Sequence, residues 1–442
     1  MSARAVAPAL GTLAQWLSYL EQLHPQLIEL GLERVSEVAR RLGVARPAAR
    51  VITVAGTNGK GSTVRFLELL LSAAGQRVGC YTSPHLLHYR ERIRIAGEEA
   101  SDPAICAAFA QIEQARGDIS LTYFEFGTLA ALLLFAQQPL DILLLEVGLG
   151  GRLDAVNLVD ADLAIITTID YDHQEWLGHD LDSIGAEKAG ILRAGHPAIL
   201  GMNPPPPRLL QLAQSLAQPL LRRGVDFDAR IVGDQWHYQE SGPAVPFTIG
   251  PLPLPRLPLD SALCALRALR FLGFELPLPR IAELMATATL AGRFQQLAGR
   301  VPIILDVAHN PQSVALLASR LAAEPCAGQT HAVVAIMADK AIEPMLQQLL
   351  PRVERWYPAA ARTARSAGSG QIVGLLRGLG AAVDQRFDSV TAAIDAAEAA
   401  AQPGDRILVF GSFYTVAEAL ERWQARLDGE GGGHAVAAEP GV

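Results

Sequence analysis

Val51-Ile-Thr-Val-Ala-Gly-Thr-Asn-Gly-Lys-Gly-Ser-Thr63 is a β-branched run that breaks into a glycine-rich turn and enters a helical pattern lasting to Ala74, where Gly75 stops it. Strand, glycine loop and helix in that order aim several backbone N–H groups at one anion, and the helix N-terminus adds its partial positive charge. Lys60 is placed to reach the outer phosphates of a nucleotide, and the hydroxyl of Ser62 or Thr63 to ligate a magnesium ion. Gly56, Thr57, Asn58, Gly59, Lys60, Gly61, Ser62 and Thr63 are therefore the candidate nucleotide loop. The stretch departs from G-x-x-x-x-G-K-[ST]: Val54 stands where that pattern needs its first glycine, and Gly61 follows the lysine directly.

The same alternation continues on both sides of the loop. Upstream, Trp16, Leu17, Leu20, Leu23 and Leu27 recur at helical spacing. Downstream, residues 77–82 read as a strand, 125–138 as a buried helix, and Asp141–Val147 and Asp162–Ile169 as buried strands. Strands apolar on both faces, separated by helices, predict a parallel sheet covered on both sides. Residues 203–260 break the pattern. Asn203-Pro-Pro-Pro-Pro207 is excluded from a helix interior, and the short segments 228–232 and 235–238 before a proline-rich stretch predict a small antiparallel annex. A helix resumes near Ser261 and runs to about Leu272. From Val301 strands and helices alternate again up to a last helix ending near Leu427.

The fold class expected is thus α/β: an N-terminal P-loop-type parallel-sheet ATPase domain with its annex over residues 1–297, and a smaller Rossmann-like α/β domain over 301–428. The glycine-rich residues 429–442 are expected to be a disordered tail.

Composition narrows the function. Of 442 residues half are hydrophobic and 19% charged, so a large core is available and wholesale disorder is excluded. A net charge of −8 argues against a broad nucleic-acid or anionic-membrane surface. Cys80, Cys106, Cys264 and Cys326 are scattered without a Cys-x-x-Cys pair, against a structural zinc site or a disulfide framework and in keeping with a reducing cytosol. No apolar run approaches the roughly 20 residues of a membrane helix. A cytoplasmic enzyme without nucleic-acid or membrane partners is expected, as a monomer.

Further candidates sit at strand ends. Glu146 closes the apolar strand at 141–147, where P-loop proteins bring an acid to the magnesium shell; an ion pair is the alternative. Gly148, Gly150 and Gly151 allow close approach of backbone but do not spell the dinucleotide fingerprint. Asp172-His173 follows the next strand, as a metal ligand or a structural pair. Lys188, in Ala-Glu-Lys-Ala-Gly190, reads by composition as a solvated helix lysine. His85 and His88 have the spacing of a zinc pair but read as substrate-loop or surface residues. Arg293 offers a rigid fork for phosphate oxygens, and Asp306 and His309 end the first strand of the second domain; an interdomain ion pair is the alternative for each.

Taken together these motifs resemble the Mur ligase superfamily, and within it the bacterial bifunctional dihydrofolate synthases/folylpolyglutamate synthases. The resemblance runs from about Trp16 to Glu418 and rests on WLSYLE (16–21), LGLERV (30–35), the glycine loop, SPHL (83–86), RGDISLTYFE (116–125), LEVGLGGRLDAVN (145–157), DH (172–173), EKAG (187–190), GRF (292–294), DVAHNP (306–311) and GSFYTVAE (411–418). It implies an ATP-dependent ligase. The enzyme would add L-glutamate to 7,8-dihydropteroate, and further glutamates to reduced folates, through an acyl phosphate, releasing ADP and phosphate. Arg293 and Asp306 would contact ATP, with His309 near the γ-phosphate. Two magnesium ions are implied, the second held by Ser83, Glu146, His173 and a Lys188 carbamylated by CO2. Gly31, Leu32, Thr122, Tyr123, Phe124, Glu125, Leu153, Asp154 and Ala155 match the pterin site, where Phe124 would stack on the ring and Asp154 accept its N–H groups. Arg152 reads as structural. The chain departs from the family where an asparagine commonly reads the nucleotide: it has Asp260-Ser261 instead. A cell-wall Mur ligase and a P-loop switch or kinase are the rival readings.

Overall fold

The structure, a computed structural model, describes residues 11–26, 28–241 and 247–430. The expected helical position Leu27 and residues 431–442 of the expected tail lie outside the described residues. Residues 429 and 430 close the last helix, Phe413–Glu430. The chain divides into two compact units, residues 1–290 and 291–442.

The first unit is built on an eight-stranded sheet: β1 (Arg50–Ala55), β2 (Val78–Tyr81), β3 (Ile93–Ile95), β4 (Glu98–Glu99), β5 (Ile142–Glu146), β6 (Leu163–Ile166), β7 (Ala198–Leu200) and β8 (Leu220–Arg222), in the spatial order β4-β3-β2-β5-β1-β6-β7-β8. From β2 to β8 every pairing is parallel, whereas β3 and β4 add an antiparallel edge that the sequence reading did not anticipate. Both strands are too short to show a period, so nothing in their residues separated them from a loop.

Side-chain alternation along these strands divides the interior into two cores. Val51, Ala55, Leu143, Leu145, Ala164 and Ile166 point into one, which holds the Tyr123–Ala136 helix. Ile52, Val54, Ile142, Leu144, Leu163 and Ile165 point into the other, with the Lys60–Ala73 and Leu259–Phe271 helices. The period of two thus explains why the strands read as unbroken apolar runs: both faces are covered. The Tyr123–Ala136 helix is buried from Glu125 through Phe135, which its sequence, apolar on every side, requires.

The annex is real but narrower than 203–260. Its three antiparallel strands are β9 (Phe227–Val232), β10 (Gln235–Glu240) and β11 (Phe247–Pro253). The four prolines do not start it. Pro207 is the first residue of a helix, Pro207–Leu216, where a missing N–H costs nothing, and β8 then joins the main sheet.

In the second unit β12 (Gln295–Leu297), β13 (Ile303–Asp306), β14 (Thr330–Val334), β15 (Arg355–Pro358) and β16 (Arg406–Phe410) lie in the order β12-β13-β16-β14-β15. β12 runs antiparallel to β13, so residues 295–297 belong here and the boundary moves from 297–300 back to 290–291. A three-residue strand containing two glutamines carries no apolar signal that would have assigned it. The unit has its own core, including Ile304, Leu317, Leu346, Leu376 and Phe410.

Candidate active site

The glycine loop occupies the turn from β1 into the Lys60–Ala73 helix. Gly59, the residue before the helix, has φ +85, and Gly56 lies so close to Thr167 that a Cβ there would fall 1.9 Å from its Oγ1. Both positions therefore require glycine. The loop is braced from β6, its neighbour in the sheet. Thr57 N donates to the Thr168 carbonyl at 2.7 Å, and Asn58 N to Thr168 Oγ1 at 3.1 Å. Thr167 Oγ1 donates to the Asn58 carbonyl at 2.6 Å, and the Asp170 N–H to Thr57 Oγ1 at 3.0 Å. Ser261 Oγ, on the Leu259–Phe271 helix, donates to the Gly59 carbonyl at 3.2 Å, while Asp260 pairs with Arg223 at 2.7 Å. Thr167, Thr168 and Asp170 were missed by sequence reasoning. Their signal, hydroxyls and an acid just after a buried strand, is legible only once β6 is known to lie beside β1.

Lys60 Nζ donates to the Gly56 and Thr57 carbonyls at 2.9 and 3.1 Å, arching over the loop it would share with phosphate. Gly61 places the loop against Glu146: a Cβ at 61 would lie 3.6 Å from Glu146 Oε2. Glu146 is 5% exposed and accepts the Ser83 N–H at 3.2 Å. Ser62, also buried, lies in the first turn of the helix, and Thr63 Oγ1 is buried without a hydrogen-bond partner.

Around this edge lie two buried groups of opposite sign. Asp154 is raised to about 6, chiefly by burial, although its carboxylate accepts the Leu149 and Val156 N–H groups at 2.8 and 3.0 Å. Lys188 is not solvated, as composition alone read it: it is 4% exposed and lowered to about 7 by burial first and then by the charge of Lys60, opposed by Asp172, Asp154 and Glu187. Lys60, Asp154 and Lys188 thus share one electrostatic neighbourhood. The loop carrying Asp154 is tied to the lysine's helix by Arg152 N donating to the Glu187 carbonyl at 2.9 Å, and Arg152 itself pairs with Glu187 at 3.0 Å, as a structural residue should. His173 has φ +50 at the start of the Gln174–Leu177 helix; its backbone N–H is held by Asp172 Oδ1 at 2.9 Å. Such a left-handed conformation at a non-glycine residue is strained.

On the same unit the pterin candidates come together. Phe124 is half-buried, with its ring against Gly148, where a Cβ would fall 2.7 Å from Cζ, and 5.9 Å from the Tyr81 ring. Thr122 and Glu125 form the capping box of the Tyr123–Ala136 helix, and Glu125 pairs with Arg34 at 3.2 Å, so their side chains are committed to holding that helix. Arg34 follows Gly31 and Leu32 by two to three residues and so anchors that segment to it. Leu153 is half-buried and Ala155 buried in the turn that Asp154 caps. His85 accepts from Arg92 Nε at 2.8 Å, which does not make a zinc pair with His88. Among the described residues no three His, Cys, Asp or Glu side chains gather as a metal cage. The expected set contains only two of those types, Glu146 and His173, with a serine and a modified lysine, and its hard oxygen donors suit magnesium.

In the second unit Asp306 is half-buried and its carboxyl is raised chiefly by desolvation, while it accepts the Phe294 and Ala308 N–H groups at 2.8 Å each. Arg293 lies 5.1 Å over the Phe413 ring, whose centroid is 6.0 Å from that of His309. Arg293 and His309 thus lie against Phe413, with Asp306 in the field of Arg293; sequence reasoning quoted Phe413 within GSFYTVAE without giving it a place.

Comparisons with known proteins bear on the chain as a whole. The Mur ligase middle domain matches residues 54–204, and the Mur ligase glutamate ligase domain matches residues 292–413. The dihydrofolate synthase/folylpolyglutamate synthase of Escherichia coli K12 is 49% identical over 421 residues, 95% of this chain and 98% of the relative. The solved structure of E. coli FolC in complex with DHPP and ADP matches with a TM-score of 0.89 over 95% of this chain and 100% of its own. A bifunctional folylpolyglutamate synthase/dihydrofolate synthase with Mn, AMPPNP and L-glutamate bound matches at 0.87 with 46% identity, over 95% of this chain and 100% of its own.

Proposed function

Because the chain belongs to the dihydrofolate synthase/folylpolyglutamate synthase family of Mur ligases, we propose that it adds L-glutamate to 7,8-dihydropteroate and further glutamates to reduced folates, at the expense of ATP. A carboxylate and an amine do not condense in water unaided. The carboxylate attacks the γ-phosphorus of ATP, ADP leaves, and the acyl phosphate is attacked by the neutral amine of glutamate. The amide C–N bond forms, the C–O bond to phosphate breaks, and the amine proton is lost to solvent or a nearby base. The observation that carries this reading is the shared neighbourhood of Lys60, Glu146, Asp154 and Lys188 at the sheet edge, in a chain 49% identical to an enzyme of that name.

Lys60 exchanges the Gly56 and Thr57 carbonyls for the outer phosphate oxygens. The loop N–H groups would cradle the phosphates, and Ser62 and Glu146 would hold the nucleotide's metal. Ser83, Glu146, His173 and a carbamylated Lys188 would hold a second ion. A divalent ion so bound would neutralise charge on the transferring phosphoryl group. Burial lowers the Lys188 amine to about 7, so a substantial share is neutral near pH 7, the form that adds to CO2 and sheds a proton. The product replaces a cation beside the metal by an anionic oxygen donor. Phe124 stacks on the pterin, and Asp154, whose oxygens each keep a lone pair beyond the backbone bonds, accepts its N–H groups. Arg293, Asp306 and His309 are the nucleotide candidates of the second unit. The substrates are small molecules, and the enzyme acts as a cytoplasmic monomer. Among the described residues no helix is long and apolar enough to cross a membrane.

The test is purified protein with ATP, Mg2+, glutamate and either dihydropteroate or tetrahydrofolate, with products identified by mass. ATP consumption independent of both the pterin acid and glutamate would return the chain to the kinase or switch reading.

A further inference from the structure

Residues 82–92 connect β2 to β3, which pair antiparallel with Tyr81 opposite Ile93, and Ser83 lies early in this loop. The Ser83 N–H donates to Glu146 Oε2 at 3.2 Å, which sets it beside the carboxylate with which it would share an ion. One side chain gathers the rest of the loop. Glu91 is half-buried and turns its carboxylate back across the loop. Its Oε2 accepts the Leu86 N–H at 2.8 Å, and its Oε1 accepts those of Leu87 and His88 at 2.8 and 2.6 Å. Hydrogen bonds to an ionised acceptor are the strong kind. The 3-10 turn Tyr89–Arg92 needs only one of them, since His88 is its capping residue; the other two hold residues that precede the turn.

Both ends of the loop are fastened to that same turn. Before Ser83, the Thr82 N–H donates to the Arg92 carbonyl at 2.9 Å. After it, the His85 ring accepts from Arg92 Nε at 2.8 Å, and the next three N–H groups meet Glu91. The turn is itself anchored to the helix that starts at the phosphate loop. Arg94 Nη1 donates to the Glu91 carbonyl at 3.3 Å, while its Nε and Nη2 meet the two oxygens of Glu68 at 3.0 and 2.9 Å. Glu68 is a buried residue of the Lys60–Ala73 helix. A continuous set of contacts thus runs from that helix through Arg94 and Glu91 to the loop that carries Ser83. We propose that Glu91 is a positioning residue: it holds residues 83–88 so that Ser83 stays beside Glu146 and completes the second metal site, without itself touching the ion. This rests on the reading of Ser83 as a metal ligand given above. A group that orients a ligand acts on metal affinity through that ligand, typically by about tenfold to a hundredfold.

The experiment is a double-mutant cycle on the full-length protein carrying AMPPNP. Mn2+ is the probe, its binding read by electron paramagnetic resonance, and hydrogen exchange of the loop amides is measured alongside. In the unmodified protein two ions should bind, and the Leu86, Leu87 and His88 amides should be protected. Glu91→Ala should speed exchange of those amides by about tenfold or more, and weaken one ion by about tenfold to a hundredfold while the other holds. Ser83→Ala should weaken the same ion, and the double variant should be no worse than Ser83→Ala alone, because Glu91 acts through Ser83. Glu91→Gln, which keeps an oxygen for Leu87 and His88 but loses the acceptor for Leu86, should fall between. Faster exchange in Glu91→Ala with both ions bound as before ends the proposal, since Glu91 would then only stiffen the loop. Losses that add in the double variant end it too. If Glu91→Ala does not fold, Glu91→Gln decides: a weakened ion supports the assignment and unchanged affinity overturns it. A single ion in the unmodified protein, or Ser83→Ala with unaltered binding, is a different result; it removes the reading of Ser83 as a ligand, and the positioning role with it.

Discussion

Lys60 sits on two carbonyls of its own loop, so its charge is already oriented toward the place a phosphate would occupy. Lys60→Ala should leave the fold intact, because those bonds are local, and lower ligation about a hundredfold or more, the scale of losing one charge donor in a phosphoryl-transfer site. Near-normal turnover in a folded variant would sink the phosphate-loop assignment. Lys188 makes a second prediction. Its amine is lowered to about 7, so neutral amine, and with it carbamate, should grow as pH rises through 6 to 8. Carbon NMR with labelled CO2 should show that signal in the unmodified protein and lose it in Lys188→Ala, whose activity a small carboxylic acid should partly restore. Lys188→Arg should not recover, since arginine keeps the wrong charge. Absence of the carbamate signal in active protein would leave Lys188 a buried amine and nothing more. Asp154 gives a third. Its folded carboxyl holds a proton up to about pH 6, against 3.8 unfolded, so between those values the folded state binds more protons. Stability should therefore fall as pH rises from 4 to 6, by roughly 3 kcal/mol in all, and Asp154→Asn should flatten that slope in denaturant melts.

At the scale of elements, the site is a set of strand ends that only the sheet brings together. β1 supplies the loop and β5 supplies Glu146, paired in register with Val54. The turn after β6 supplies the threonines that brace the loop from more than a hundred residues away in sequence. This explains which parts of the site were legible beforehand. Lys60, its glycines and Glu146 announce themselves locally, as a turn chemistry and a charge at the end of an apolar run. The role of Thr167 and Thr168 depends on β6 lying beside β1, and no local pattern carries strand order. The close packing of Phe124 on Gly148 is likewise a product of two segments meeting, the Tyr123–Ala136 helix and the turn after β5. Phe124→Ala should therefore raise KM for dihydropteroate about tenfold, the scale of a lost aromatic stack, while KM for ATP holds. A rise in KM for ATP alone would mean that the pocket lies elsewhere.

At the scale of the whole molecule, the division into two α/β units follows from the arithmetic of length and from the restart of alternating strands at Val301, and both were readable. The boundary was not, because β12 is three residues long and polar, and its membership is decided by pairing with β13. The interior follows the same logic. The first unit buries two cores, one on each face of its sheet, and the second buries its own, with Leu144 in one of the former and Leu376 in the latter, both fully buried. Each core is assembled from residues of its own unit, so cooperativity should be confined within units. Calorimetry should then resolve two transitions. Leu144→Ala should lower one by about 2–5 kcal/mol and leave the other in place, and Leu376→Ala should do the reverse, because each removes packing from a single core. One transition, with calorimetric and van't Hoff enthalpies equal and displaced alike by both substitutions, would show that the units unfold together and that a core-by-core account of stability is wrong.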